Sequence, residues 1–115
     1  MAGKQNFVIE QGASFKKRLT WRNKQKRPIN LTGYTAKLQA RSAVGGSVLF
    51  ELSTANGGIA LTPTAGIIDL IMTAAQTAAF GFATVIYDLI LTAPDGTTKY
   101  RVLEGRFTLS AGVTQ

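Results

Sequence analysis

The sequence predicts an all-β domain, a β-sandwich or small barrel of about eight short antiparallel strands with one short helix. Three observations lead there. Apolar and polar residues alternate with a period of two over short runs, the signature of strands with one buried face. Turn signals rich in Gly, Pro, Asn and Asp recur roughly every 8–12 residues, as in sandwiches and small barrels. Only Thr73 to Phe80, an Ala-rich stretch, reads as helix. With 115 residues, the chain fits a single domain, 1–115, able to bury a core without crosslinks.

Phe7-Val8-Ile9, closed by Gln11-Gly12, predicts a first strand at a sheet edge. From Phe15 to Arg22 the odd positions include Leu19 and Trp21, and the even ones are Lys16, Arg18, Thr20 and Arg22. A strand therefore turns the indole inward and sets a basic row outward. Lys17 has inward parity, but its long stem reaches water from the strand start. Asn23 to Arg27 is a polar loop, and Pro28 pushes Arg27 toward extended geometry. Asn30-Leu31-Thr32-Gly33 signals a second turn. Ala36, Leu38 and Ala40 then alternate with Lys37, Gln39 and Arg41. Gly45-Gly46 marks a reversal into Val48 to Leu52, and Asn56-Gly57-Gly58 another into Ile59 and Leu61. Pro63 ends that strand, and Ile67 to Met72 forms the next.

Thr73 and Gln76 have capping-box spacing, with Gly81 placed to end the helix. Phe82 to Thr92 is the longest strand, apolar enough on both faces to be central and covered on both sides for much of its length. Pro94-Asp95-Gly96 is a tight turn, with Pro presetting φ and Gly accepting a positive one. In the last strand the inward set slips from Tyr100 and Val102 to Leu103, Phe107 and Leu109, which predicts a bulge near Gly105. Tyr34, Tyr87 and Tyr100 all read as core residues.

The chain has neither Cys nor His. Disulfides and thiolate metal sites are excluded, and the usual general base and commonest neutral metal ligand are missing. Glu10, Glu51, Asp69, Asp88, Asp95 and Glu104 are the whole carboxylate stock. Asp95 belongs to a turn, and strand residues Asp69 and Asp88 are expected to pair with a nearby Arg such as Arg101 or Arg106, or to bond a loop amide. No phosphate-binding glycine loop occurs, and Ser and Thr lack an activating partner. The expectation is a protein that is not an enzyme, with no catalytic residue, cofactor or metal. No apolar run suggests a membrane span, and the N-terminus lacks the apolar stretch of a signal peptide. Synthesis and folding in a cytosol are expected.

The net charge of +7 is unevenly placed: residues 1–41 carry +9 and the remainder −2. Seven of the thirteen Lys and Arg residues fall between Lys16 and Arg27. The partner-binding candidates are Lys16, Arg18, Arg22, Lys24, Lys26 and Arg27. They are expected to meet a complementary acidic protein surface. Nucleic acid is the alternative partner, with Trp21 as a stacking group. Against it, Trp21 has the parity opposite to the basic row. A carbohydrate-binding module is a weaker third reading, because it needs aromatics on an open face.

Several stretches, "IEQGASFKKRLTW", "PINLTGYTAKLQAR", "STANGGIALTPTAGIIDLIMTAAQTAAF" and "VIYDLILTAPDGTTKYRVLEGRFTLSAGVTQ", give the chain a family likeness. It resembles tailed-bacteriophage virion structural proteins and is similar to the N-terminal domain of upper baseplate proteins from phages of lactic bacteria. The likeness spans nearly the whole chain but rests on turn and core positions, so it speaks for fold more than task. It implies an immunoglobulin-like β-sandwich in multiple copies in a symmetric assembly, located in the virion after synthesis in the host cytoplasm. Implied partners are other virion structural proteins with acidic surfaces, on the tail, adaptor, baseplate or fibre-attachment region. In baseplate relatives this domain anchors a receptor-binding arm. With the chain ending at Gln115, another chain would supply the arm, or the domain would decorate a surface alone. Capsid decoration is the alternative location.

Overall fold

The structure, a computed structural model, describes residues 3–22, 25–43, 45–81 and 83–110. Nine strands lie among the described residues: β1 (Gly3–Lys4), β2 (Phe7–Glu10), β3 (Phe15–Thr20), β4 (Thr35–Arg41), β5 (Val48–Ser53), β6 (Ile59–Thr62), β7 (Ile67–Met72), β8 (Thr84–Thr92) and β9 (Lys99–Ser110). A 3-10 turn, Pro63–Ala65, joins β6 to β7, and the helix α1 (Ala74–Ala78) joins β7 to β8. The larger sheet runs β1-β9-β8-β4-β5, with β2 also paired to β9, and the smaller runs β3-β7-β6. The two sheets make a β-sandwich, as expected. Strand count exceeds the expected eight by β1, a two-residue strand that precedes the predicted first one.

The inward residues of both sheets meet in one core. Phe107 is fully buried, its ring centroid 4.7 Å from that of Tyr87, 5.4 Å from Phe50 and 5.5 Å from Phe7. Leu38, Leu89, Leu91, Leu70 and Ile68 continue the core along the sandwich. The alternation predicted for β2, β3 and β4 is observed: Phe7, Ile9, Ala36, Leu38 and Ala40 are buried, Leu19 is half-buried, and Val8, Lys16, Arg18 and Lys37 are exposed. Lys17, at inward parity, holds Nζ 5.9 Å from the centre of the Phe7 ring while the residue stays exposed.

Four features differ from the sequence expectation. First, not every strand is antiparallel: β1 and β2 run parallel to β9. The turn after β2 leads across to the other sheet, so no hairpin forces an antiparallel neighbour. Second, only one face of β8 is buried. Val85, Tyr87, Leu89 and Leu91 face the core, while Ile86, Asp88 and Ile90 are half-exposed on the outer face. The start of this strand at Phe82 lies outside the described residues. Third, the register slip falls between Arg101 and Leu103, which pair with Ile90 and Leu89, so Val102 is the extra residue. Gly105 has a different task. A Cβ there would collide with the Gln5 carbonyl, which also accepts a 2.7 Å hydrogen bond from the Tyr87 hydroxyl. Burial raises the pKa of that phenol. Fourth, α1 stops before Gly81, with Ala79 as its C-cap. Tyr87 is core, but Tyr34 is half-buried and Tyr100 is exposed.

The predicted capping box is present: Gln76 N donates to Thr73 Oγ1 at 3.1 Å and Thr73 N to Gln76 Oε1 at 2.7 Å. Its consequence for the rest of the domain lies in Thr77. That fully buried hydroxyl accepts from Gly12 N at 3.0 Å and donates to Ala13 O at 2.8 Å. Gln11 Nε2 donates to Phe80 O at 3.2 Å. The helix thus fixes the β2–β3 connection and, through it, the entry into β3. Thr77→Val is expected to cost about 1–3 kcal/mol, since it strands the Gly12 amide and the Ala13 carbonyl. A lower denaturant midpoint with an unchanged slope is the expected reading.

The Pro94-Asp95-Gly96 turn forms as predicted, with Gly96 at φ 79°. Asp95 Oδ2 accepts from the Thr98 hydroxyl at 2.6 Å, and Oδ1 accepts from the Thr98 and Thr97 amides at 2.8 Å. These bonds, the Thr98 hydroxyl first, hold the Asp95 carboxyl at about 2, below its ordinary 3.8. A depressed folded-state value means that the turn's contribution is complete above the unfolded value and lost as pH falls through about 2. An NMR titration is expected to show the Thr97 and Thr98 amides shifting with that midpoint, and Thr98→Val is expected to raise it.

Candidate functional site

The smaller sheet presents its outer face through alternate residues of three strands. Arg18 lies opposite Asp69, which lies opposite Ala60; Thr20, Ile67 and Thr62 form the next row. Lys16 stands opposite Ile71 on the other side. On β7 this face carries two half-buried isoleucines, Ile67 and Ile71, on either side of Asp69, and it is bordered along β3 by cations. Aliphatic residues beside a charged rim are the composition of many interface patches.

The predicted partner-binding residues fall into three groups. Lys16 and Arg18 are both exposed on the outer face of β3. Arg22, Lys26 and Arg27 are exposed on the excursion that follows β3 and returns through the Arg22–Pro28 bridge. There the Arg22 guanidinium donates to Lys26 O at 3.1 Å, and Lys26 adopts a positive φ of 63°. Lys24 lies outside the described residues. The cations follow one strand and the loop beyond it, so they form a strip rather than a compact cluster.

Arg18 has a structural role that the sequence reading missed. Its Nε and NH2 donate to the two Asp69 carboxylate oxygens at 3.0 and 3.2 Å. The side chain of Asp69 is only 9 % exposed and that of Arg18 61 %. Asp69 was expected to find Arg101 or Arg106; it finds Arg18, 51 positions away in sequence, because β3 and β7 pair. The hydrogen bond and charge of Asp69 raise the Arg18 pKa. Asp88 does meet Arg101, at 3.7 Å and with both side chains well exposed. Such a surface pair adds little stability.

The sequence's basic half does not all gather on this side. Lys37 and Arg41 lie on β4, on the outer face of the larger sheet, opposite Ile90 and Ile86 of β8. Arg41 joins Lys4, Arg101 and Arg106 around a shallow hollow of about 630 Å³ that also contains Asp88 and Glu104. Each strand's parity was readable, but only the pairing order shows that these residues share a hollow.

Trp21 is half-buried at the end of β3 and packs at 5.6 Å on Tyr100 and 6.2 Å on Tyr34. This agrees with the inward parity of the indole. Beside it, a cleft of about 300 Å³ opens between the two sheets, lined by Leu19, Trp21, Ile68, Leu89, Val102 and Leu103, with Arg18, Thr20 and Gln5 at its rim. The bulge residue Val102 is in its wall, in keeping with the habit of bulges to re-aim a strand near a site. No model of a known protein family matches the chain, and no curated protein matches it significantly.

Proposed function

We propose that the chain is a non-enzymatic structural component of a tailed-phage particle, docking on tail, adaptor or baseplate subunits through its basic side. There it would help attach fibres or stabilise the assembly. The observation that carries this reading is the outer face of the smaller sheet. Exposed cations run along β3 and the loop after it, beside the aliphatic residues Ile67 and Ile71. An acidic subunit surface would gain orientation from the cations and burial from the isoleucines. A β-sandwich is also the architecture that the family likeness implies.

The role of Arg18 decides which residues can test the proposal. Changing Arg18 would disturb the domain itself, so the test is Lys16→Glu/Arg22→Glu/Lys26→Glu. The triple variant is expected to keep the wild-type melting profile and to be absent from assembled particles in a complementation assay. Normal incorporation would contradict the docking face. Capsid decoration uses the same face and is told apart by whether the protein sediments with tails or with heads.

A nucleic-acid role is the competing reading. Contacts to phosphates by these cations would make log K fall with log[salt] at about −0.9 per contacted phosphate on duplex DNA. Trp21 packs against Tyr34 and Tyr100, which leaves little of the indole for base stacking. No mobility shift with duplex or single-stranded DNA is expected, even at low salt.

A further inference from the structure

We propose that the open edge of β3 receives an extended, acidic segment of a partner protein as a fourth strand, with an apolar side chain of that segment seated in the neighbouring cleft. The inference rests on the docking reading above and names the chemistry of the partner.

The first observation is an incomplete sheet. Constant-type immunoglobulin sandwiches pair the first strand with the second in a four-stranded sheet. Here, among the described residues, the sheet that holds β3 has three strands, because β1 and β2 both pair with β9. Among the described residues β3 pairs with β7 alone. Trp21 N donates to Gly66 O at 2.8 Å, which fixes the phase of the ladder. Odd residues of β3 bond toward β7, so the backbone N–H and C=O groups of Lys16, Arg18 and Thr20 point outward. Three such residues are a template for main-chain pairing with a strand of about five residues.

The second observation is the cleft, which lies against the same edge. Arg18, Leu19, Thr20 and Trp21 contribute to it, and its floor reaches Ile68 and Leu89, both otherwise buried in the core. A strand added beside β3 would turn alternate side chains inward, toward Val102 and Leu103.

The third observation is charge. The edge carries Lys16, Lys17 and Arg18 and no carboxylate. Lysines on an edge strand deter pairing with another copy of the same strand, since like charges would stand opposite each other. On the outer face, Lys16 favours Glu or Asp at the facing position of a different strand. The occupant is therefore a segment alternating acidic and apolar residues, not a second copy of this chain. Arg18 is turned away from the open edge, across to Asp69 of β7, so the attraction falls to Lys16 on the edge and to Arg22 beyond it.

The probe is a synthetic peptide of about seven residues alternating Glu and Val, long enough to span the edge. A second peptide of the same composition, with its Glu and Val residues in separate blocks, is the comparison. Amide hydrogen exchange is read at Lys16, Arg18 and Thr20 at low ionic strength. The alternating peptide is expected to protect these amides and to bind at least tenfold more tightly than the block peptide. Thr20→Pro removes an outward N–H while leaving the bonds to β7 in place, and is expected to weaken binding tenfold or more. Val102→Trp fills the cleft and provides a second variant with the same expected loss. Equal binding of both peptides, unaffected by either substitution, would overturn strand addition and leave charge-based docking standing. Failure of both peptides to bind would overturn strand addition and the acidic-partner reading together.

Discussion

Gly105→Ala is expected to destabilise the domain on the order of 3–5 kcal/mol, at the upper end of single-substitution effects. The reason is local and geometric. A Cβ at this position runs into the carbonyl oxygen of Gln5 and stands 2.7 Å from its carbonyl carbon and 3.0 Å from Asn6 Oδ1. Two of these are backbone atoms, which cannot rotate away. The Gln5 backbone is also held on both sides: its N–H donates to Glu104 O at 2.9 Å, and its carbonyl accepts from the Tyr87 hydroxyl at 2.7 Å. Moving it leaves a buried phenol without its acceptor and loosens the parallel pairing of β1 and β2 with β9. The same loss of a bond that Thr77→Val causes is thus compounded by a steric conflict. Gly81→Ala is the control, since a Cβ there meets nothing within 4 Å and φ is not positive. It is expected to change the denaturant midpoint little, whereas Gly105→Ala lowers it far enough to be seen without extrapolation. Equal midpoints for the two variants would contradict the described junction between the first and last strands.

The second large effect is expected at Asp69. Its carboxylate is nearly out of water, and Arg18 supplies both of its ion-pair hydrogen bonds. Arg18→Leu leaves a buried charged acceptor unsatisfied, a situation that costs on the order of 1–3 kcal/mol. Arg18→Glu sets a second carboxylate beside the first and is expected to be worse. Asp69→Leu leaves only an exposed guanidinium behind and is expected to be the milder single change. The double variant Arg18→Leu/Asp69→Leu is expected to recover most of the stability lost in Arg18→Leu, because an apolar pair can replace a buried ion pair with little penalty. A double-mutant cycle on denaturant midpoints checks this asymmetry. Purely additive effects would show that the two side chains do not depend on each other.

How far the fold was legible follows from what periodicity can report. Alternation along β2, β3 and β4 identifies inward and outward residues because both sheets have one buried face. The capping box at Thr73 and Gln76 and the turn at Asp95 are local chemistry, readable within a few residues. Partner identity is different. Arg18 finding Asp69, and Lys4 finding the same hollow as Arg41, depend on which strands lie side by side, and spacing along one strand holds no such information. The bulge was legible as a slip in parity, but its position at Val102 rather than Gly105 depends on the pairing of β9 with β8. Glycine at 105 carried a signal that pointed to the wrong cause: close backbone approach by Gln5, not an extra residue.

The candidate site shows the same division. Parity placed Lys16 and Arg18 outward and the Trp21 indole inward, as observed. It gave no sign that Arg18 serves the sheet as well as its surface, nor that β3 is an edge strand. The aliphatic residues that complete the face, Ile67 and Ile71, come from β7, a strand whose position beside β3 the sequence did not indicate.

The most direct measurement of the central claim is a density map of an assembled particle that contains this protein. The account predicts that the outer face of the β3-β7-β6 sheet lies against an acidic surface of a neighbouring structural subunit, with Lys16, Arg22 and Lys26 at the contact. A map in which that face points into solvent, or lies along packaged DNA, would contradict it.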